Sequence, residues 1–254
     1  MTYASFYDLG RIGAAPSEGS VIVRPKRRPA TPKSGVMFVH GAGSTSLYCL
    51  LDDGKQGRLT RKIASAGYTG WSHDNGGPQT WGNDLALLRM SSGRDALRSQ
   101  PGVTSGGKIA LVSASMGGLN SLAWIGAWTA GGGPSPVSCV VSVIPVLDLT
   151  DIHTNNRGGF ASLINAAYGG AYSEASYGAT HNPMTMAQAG RFTGIPMLIF
   201  YGTSDTICLP GRAQAFAAAV GSSVTLVPLA AGHDLTAYDL VDHDLAVDFL
   251  KAHA

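Results

Sequence analysis

The segment Ser113-Ala114-Ser115-Met116-Gly117-Gly118 restricts this chain more than any other. Before it, Lys108-Ile109-Ala110-Leu111-Val112 reads as a buried strand; after it, Leu119-Asn120-Ser121-Leu122-Ala123-Trp124 reads as a helix. A strand that passes straight into a helix must turn sharply. The backbone then comes so close to its neighbours that the residues two before and two after the apex must be small. Ser115 has Ser113 and Gly117 at those places. Ser113 as the apex would put the bulky Leu111 in the first of them. The apex is therefore Ser115, with its hydroxyl lifted above a sheet and the N-terminus of a helix behind it.

The rest of the chain continues the alternation that this turn begins. Strand-like runs occur at residues 20–25, 36–39, 68–71, 108–113, 137–147, 197–201 and 224–229. Helical patterns fall between them at 56–66, 83–100, 117–130 and 211–220, and an amphipathic helix at 235–252 closes the chain. In the second helix, Asn83 is the N-cap and Leu85, Leu88 and Ala96 form the apolar side. The run 137–147 is apolar throughout, as expected of a strand buried on both faces. Alternation of this kind implies a mainly parallel sheet with helices on both faces. Residues 149–192 are too long for a plain crossover and carry Phe160, Ile164, Tyr168, Tyr172 and Tyr177, so they are expected to form a short cap above the strand ends. Residues 1–35 are expected to form an N-terminal strand and a basic connector (Lys26 to Lys33). The whole of 1–254 is expected to be one domain.

Composition removes several function classes. Only 13% of the 254 residues are charged and the net charge is +2, too little to imply nucleic acid. The three cysteines, Cys49, Cys139 and Cys208, do not make a disulfide framework, and no Cys or His spacing points to a metal. The first thirteen residues lack an apolar core of signal-peptide length, and no apolar run is long enough to span a membrane. The expectation is a soluble protein made in the cytoplasm, with release, where it occurs, by lysis or within a larger particle.

In an open parallel sheet, reactive groups collect beyond the carboxyl ends of the strands. Ser115, the Gly202-Thr203-Ser204-Asp205 run, Gly232-His233 and the His40-Gly41 turn all fall there. In these motifs the chain resembles the α/β-hydrolase superfamily, in which a serine, an acid and a histidine follow in that order. The match runs from about Val36 to the C-terminus, and Ser113 stands where many members have glycine. The chemistry accounts for the residue types. A serine hydroxyl is a weak nucleophile until a base takes its proton. His233 can be that base, and Asp205 can hold its tautomer and stabilise the imidazolium. Asp148, after the 137–147 strand, is the alternative acid. His243 and His253 lie in the last helix and fit the base role poorly. The oxyanion would face the N–H of Met116, and by resemblance the N–H of Ala42, with Gly43 as the alternative. His40 would order that turn by hydrogen bonding. Trp71, Trp81, Phe160 and Tyr168 are candidates for lining a substrate pocket.

The resemblance implies hydrolysis of a small or lipid-like carboxylic ester through an acyl-enzyme, with no metal or organic cofactor. Acyl transfer and amide or thioester hydrolysis use the same groups. The glycine-rich, low-charge character and the basic N-terminal arm also resemble esterase-like proteins encoded by phages of actinobacteria. That likeness keeps open a structural or binding role in a larger assembly.

Overall fold

Successive side chains of an extended strand point to opposite sides, so a strand that is apolar at every position needs cover on both. The computed structural model of the protein, which describes residues 7–10, 19–50 and 56–254, supplies that cover. The N-terminal part contains β1 (Tyr7–Gly10), β2 (Val21–Pro25), β3 (Val36–Val39), α1 (Gln56–Ser65), β4 (Gly70–His73) and α2 (Asp84–Arg98). The centre contains β5 (Ile109–Ala114), α3 (Met116–Thr129) and β6 (Val137–Val143). Four short helices follow, α4 (Leu149–Thr154), α5 (Ala161–Ala167), α6 (Glu174–His181) and α7 (Pro183–Gln188). The chain closes with β7 (Met197–Gly202), α8 (Pro210–Val220), β8 (Val224–Leu229), α9 (Thr236–Asp239) and α10 (His243–His253). Of the N-terminal segment expected at 1–35, residues 1–6 and 11–18 lie outside the described residues.

The eight strands pair in the order β1-β2-β4-β3-β5-β6-β7-β8. From β4 to β8 every pairing is parallel, whereas β2 runs antiparallel to β4 and β1 antiparallel to β2. Val36 and Phe38 pack with Leu59 and Ile63 of α1 and with Leu250 of α10 on one face. Met37 and Val39, their immediate neighbours, pack with Met90 of α2, Leu122 of α3 and Phe216 of α8 on the other. The chain thus has the mainly parallel, two-sided α/β architecture that the alternation predicts. No helix among the described residues is long and apolar enough to cross a membrane.

Four local expectations are corrected. Helix α2 buries Ala86, Met90, Gly93 and Leu97, while Leu85 and Leu88 are exposed. A few leucines misled the periodicity, because the buried stripe includes a glycine and an alanine. The strand expected to reach residue 147 ends at Val143, where Ile144 takes a left-handed backbone (φ 43°) and turns the chain. The strand expected to begin at Tyr68 instead runs through His73, which is buried and stacked on Trp71 at 4.9 Å. The single closing helix is two, α9 and α10, because Asp242 caps the second by accepting from the N–H groups of Asp244 and Leu245.

Candidate active site

The site is built from backbone upward. Ser115 sits between β5 and α3 with φ 48° and ψ −121°, a strained conformation for a residue with a Cβ. Three hydrogen bonds hold it there. Its N–H donates to Val143 O at 3.1 Å, and its carbonyl accepts from Gly118 N at 2.9 Å and Val146 N at 3.0 Å. Glycine is required on the helix side: a Cβ on Gly117 would stand 2.1 Å from Val39 O and 2.6 Å from His40 O. Ser113, two residues before the apex, points into the sheet and hydrogen-bonds Ser142 Oγ at 2.8 Å. That buried contact explains why a serine is tolerated where the turn needs a small residue.

Above this turn, Ser115 Oγ lies 2.8 Å from His233 Nε2, and His233 Nδ1 lies 2.8 Å from Asp205 Oδ2. Asp205 is 2% exposed, and its other oxygen accepts from the N–H groups of Ile207 at 2.8 Å and Cys208 at 2.7 Å. These two donors fix the carboxylate so that one oxygen remains for the histidine. Asp148 is engaged elsewhere. It caps α4 through Asp151 N at 3.1 Å, accepts from Asn182 Nδ2 at 3.2 Å and pairs with Arg212 at 3.3 Å. His243 and His253 are both in α10, at its start and end.

The turn after β3 approaches from the opposite side. A Cβ on Gly41 would be 3.2 Å from Ser115 Cβ, so this backbone abuts the serine directly. Fully buried His40 faces Gly41 O at 2.9 Å through Nδ1 and Asp74 O at 3.0 Å through Nε2. It thereby ties the turn to the loop after β4. Ala42 lines the cavity beside Ser115, and Met116, at the first position of α3, has an N–H without an intrahelical acceptor.

That cavity, of about 290 Å³, is lined by Tyr48, Ile144 and Leu235 together with Tyr238, Ser115 and His233. None of the four pocket candidates from the sequence lines it, and each has another place. Trp71 fills a hole in the core against α2, where a Cβ on Gly93 would stand 2.1 Å from its ring. Trp81 is 1% exposed and packs against Phe160 at 4.9 Å between ring centroids. Tyr168 donates from its hydroxyl to Trp81 O at 3.0 Å and belongs to a ring cluster with Tyr172, Tyr177 and His181. Phe160, Ile164 and Tyr168 do share a face, but it covers Trp81, Met116 and Leu119. The residues that do line the cavity carried little signal: Tyr48 and Tyr238 come from a 3-10 turn (Ser46–Leu50) and the four-residue α9.

No ligand spacing in the sequence points to a metal, yet the fold brings Cys208 to the same place. Its sulfur, a carboxylate oxygen of Asp205 and a ring nitrogen of His233 lie within 4.8 Å of one another. Burial, with Asp205 and Asp151 nearby, pushes the Cys208 thiol well above its ordinary value.

Neither a family model nor a curated protein matches the chain. Solved structures do. An S-formylglutathione hydrolase from Agrobacterium tumefaciens superposes with a TM-score of 0.72 at 12% identity, covering 98% of this chain and 95% of that one. An esterase from Pyrococcus furiosus gives 0.68 at 17% identity, covering 98% and 94%. A Bacteroides ovatus structure assigned to the dipeptidyl aminopeptidase IV class gives 0.69 at 18% identity, but there the chain spans only 36% of the longer protein. At these identities the likeness establishes the α/β-hydrolase fold.

Proposed function

We propose that this protein is a serine hydrolase that cleaves carboxylic esters through an acyl-enzyme, with Ser115 as nucleophile, His233 as base and Asp205 as its orienting acid. The observation that carries the reading is the hydrogen-bonded row from Ser115 Oγ through His233 to Asp205 Oδ2, with both links at 2.8 Å, anchored on a strained strand-to-helix turn. Its fold neighbours include an esterase and an S-formylglutathione hydrolase, which agrees with a hydrolase reading.

The serine–histidine–aspartate row supports the first proton transfer, and the remaining steps follow from it. Ser115 Oγ attacks the acyl carbon while its proton passes to His233 Nε2. Asp205 holds the Nδ1–H and so leaves Nε2 free to accept. The carbonyl oxygen becomes an oxyanion facing the N–H groups of Met116 and Ala42. Removing one such donor typically costs ~3 kcal/mol of transition-state stabilisation. The imidazolium then returns its proton from Nε2 to the leaving alkoxide. A water, deprotonated by the same nitrogen, attacks the acyl carbon and frees Ser115. In this reading the acyl or alcohol group occupies the cavity between Tyr48 and Leu235, and 149–192 is a fixed cap that closes the opposite side.

The test is labelling with a fluorophosphonate, followed by peptide mapping. The label is expected on Ser115 and absent from Ser115→Ala, which should also lose hydrolysis of p-nitrophenyl acetate by at least about 10⁴-fold while keeping its thermal midpoint. A folded Ser115→Ala protein that still turns over ester would overturn the assignment.

A further inference from the structure

We propose that Asp205, Cys208 and His233 form a binding site for zinc or a softer thiophilic divalent cation, and that filling it switches hydrolysis off. The switching half rests on the roles proposed for Ser115 and His233; the binding half rests on the ligand set alone.

The three ligand atoms lie within 4.8 Å of one another. The histidine atom is Nδ1, since it sits 2.8 Å from Asp205 Oδ2 while Nε2 faces Ser115. Tetrahedral zinc holds nitrogen, oxygen and sulfur at ~2.0–2.3 Å, which places its ligand atoms roughly 3.3–3.7 Å apart. The carboxylate and imidazole, 2.8 Å apart, have to open by about 0.5 Å, and the sulfur has to approach by at most about 1.5 Å. Thiolate, imidazole and carboxylate in one set favour zinc and softer ions over calcium or magnesium, which take oxygen ligands.

Binding balances without a redox step. A metal–sulfur bond replaces the Cys208 S–H bond, and that proton leaves to solvent. A metal–nitrogen bond forms at His233 Nδ1, whose proton passes to solvent while another is taken up at Nε2, so the ring stays neutral. The Asp205 oxygen exchanges its hydrogen bond for the metal. His233 is then locked with Nε2 as a donor. It can no longer accept the proton of Ser115, and attack stops. A packing role for Cys208 at the edge of the Trp81–Phe160 cluster is the alternative, and it predicts no metal effect.

The experiment titrates the protein with cobalt(II), reading the cobalt–sulfur charge-transfer absorption, and with zinc, reading inhibition of p-nitrophenyl acetate hydrolysis. Wild type is expected to develop the band to one cobalt per chain, to lose it to zinc, and to recover activity when EDTA is added. Cys208→Ala and Cys208→Ser are both expected to lose the band and to need about 10–100-fold more zinc for half-inhibition, each against its own metal-free rate. Cys49 and Cys139 cannot supply the band, being 1% and 0% exposed. No band in folded wild type, or equal zinc sensitivity in wild type and both variants, overturns the proposal. Metal-free wild type that binds cobalt through Cys208 but cleaves no ester overturns the hydrolase reading and leaves the metal site standing. Hydrolysis without the band does the reverse.

Discussion

Around Ser115 the turn is fixed by backbone hydrogen bonds, whereas residues 149–192 add to the backbone bonds of their helices two carboxylates that gather side-chain hydrogen bonds. The serine is held by its own N–H and C=O, and Val39 O lies where a methyl on Gly117 would go. In the insertion, Glu174 accepts from Thr150, Thr185, Asn182 and Tyr172, and Asp151 accepts from Arg157 and Arg212. Gly178 makes room for this carboxylate: a Cβ there would stand 1.9 Å from Glu174 Oε1. The first region can be altered only by moving whole strands. The second can be altered one carboxylate at a time. Main-chain bonds thus hold the strained serine, and carboxylates tie the helices of residues 149–192 together.

After loss of the nucleophile itself, the largest effect expected is on the acid. Asp205→Asn should lower kcat/KM by roughly 10³–10⁴-fold, because an amide NH₂ facing Nδ1 favours the wrong tautomer. Asp148→Asn should leave the rate within a few-fold, since Asp148 belongs to the network of the insertion. Steady-state kinetics on the two folded variants decides it. If Asp148→Asn is the more damaging, the acid belongs to the insertion side and the two regions are not separable.

Next comes the backbone itself. Gly117→Ala would press a methyl between α3 and the end of β3, 2.1 Å from Val39 O, with no flexible side chain to give way. The expected cost is about 3 kcal/mol or more, read as a fall in the thermal midpoint. A wild-type midpoint in this variant would show that the turn is less tightly held than its contacts imply.

The insertion should fail in another way, and at acid pH. Burial pushes the Asp151 carboxyl up, but the hydrogen bonds and charges of Arg157 and Arg212 outweigh it and hold it below its ordinary value. Burial likewise raises Glu174, and its hydrogen bonds from Thr150, Thr185 and Asn182 outweigh that too. A carboxyl with a depressed folded pKa stabilises the fold above its unfolded value and loses that contribution as pH falls through the folded one. Hydrogen exchange in α4 to α7 should therefore rise below about pH 4 before exchange in β3 to β7 does. Asp151→Asn should cost about 2–3 kcal/mol at neutral pH and remove much of that acid sensitivity. Uniform acid loosening of sheet and insertion would erase the distinction.

The same contrast decides what was legible in the sequence. Ser115, Asp205 and His233 stand out because their positions follow from where strands end, and strand ends are marked by glycine and by changes of period. The mainly parallel sheet is legible for the same reason. The pocket is not. Trp71 and Trp81 are conspicuous aromatics, but a large ring fills a core as well as a mouth, and the glycine that makes room for Trp71 sits at Gly93 on a helix. Ile144 lines the cavity because a β-branched residue takes φ 43° there, against its local preference. Nothing in Cys208 announced its neighbours either, since a turn of three residues after Asp205 brings it back to the carboxylate.

The smallest effect is the one that separates the two walls of the site. The cavity beside Ser115 is lined by Leu235 and Tyr238 of the segment after His233, and by Tyr48. Phe160 instead packs on Trp81 behind the turn. Burying an acyl methylene is worth about 0.8 kcal/mol, or roughly fourfold in rate per carbon when burial is complete. Leu235 is 52% exposed, so its truncation removes only part of that contact. Leu235→Ala is expected to lower kcat/KM for p-nitrophenyl octanoate relative to acetate by about threefold, and Phe160→Ala to leave that ratio unchanged. Both ratios come from one chain-length series on folded protein. Should Phe160→Ala shift the ratio while Leu235→Ala does not, the acyl chain runs beside residues 149–192, and Phe160 is part of the binding wall.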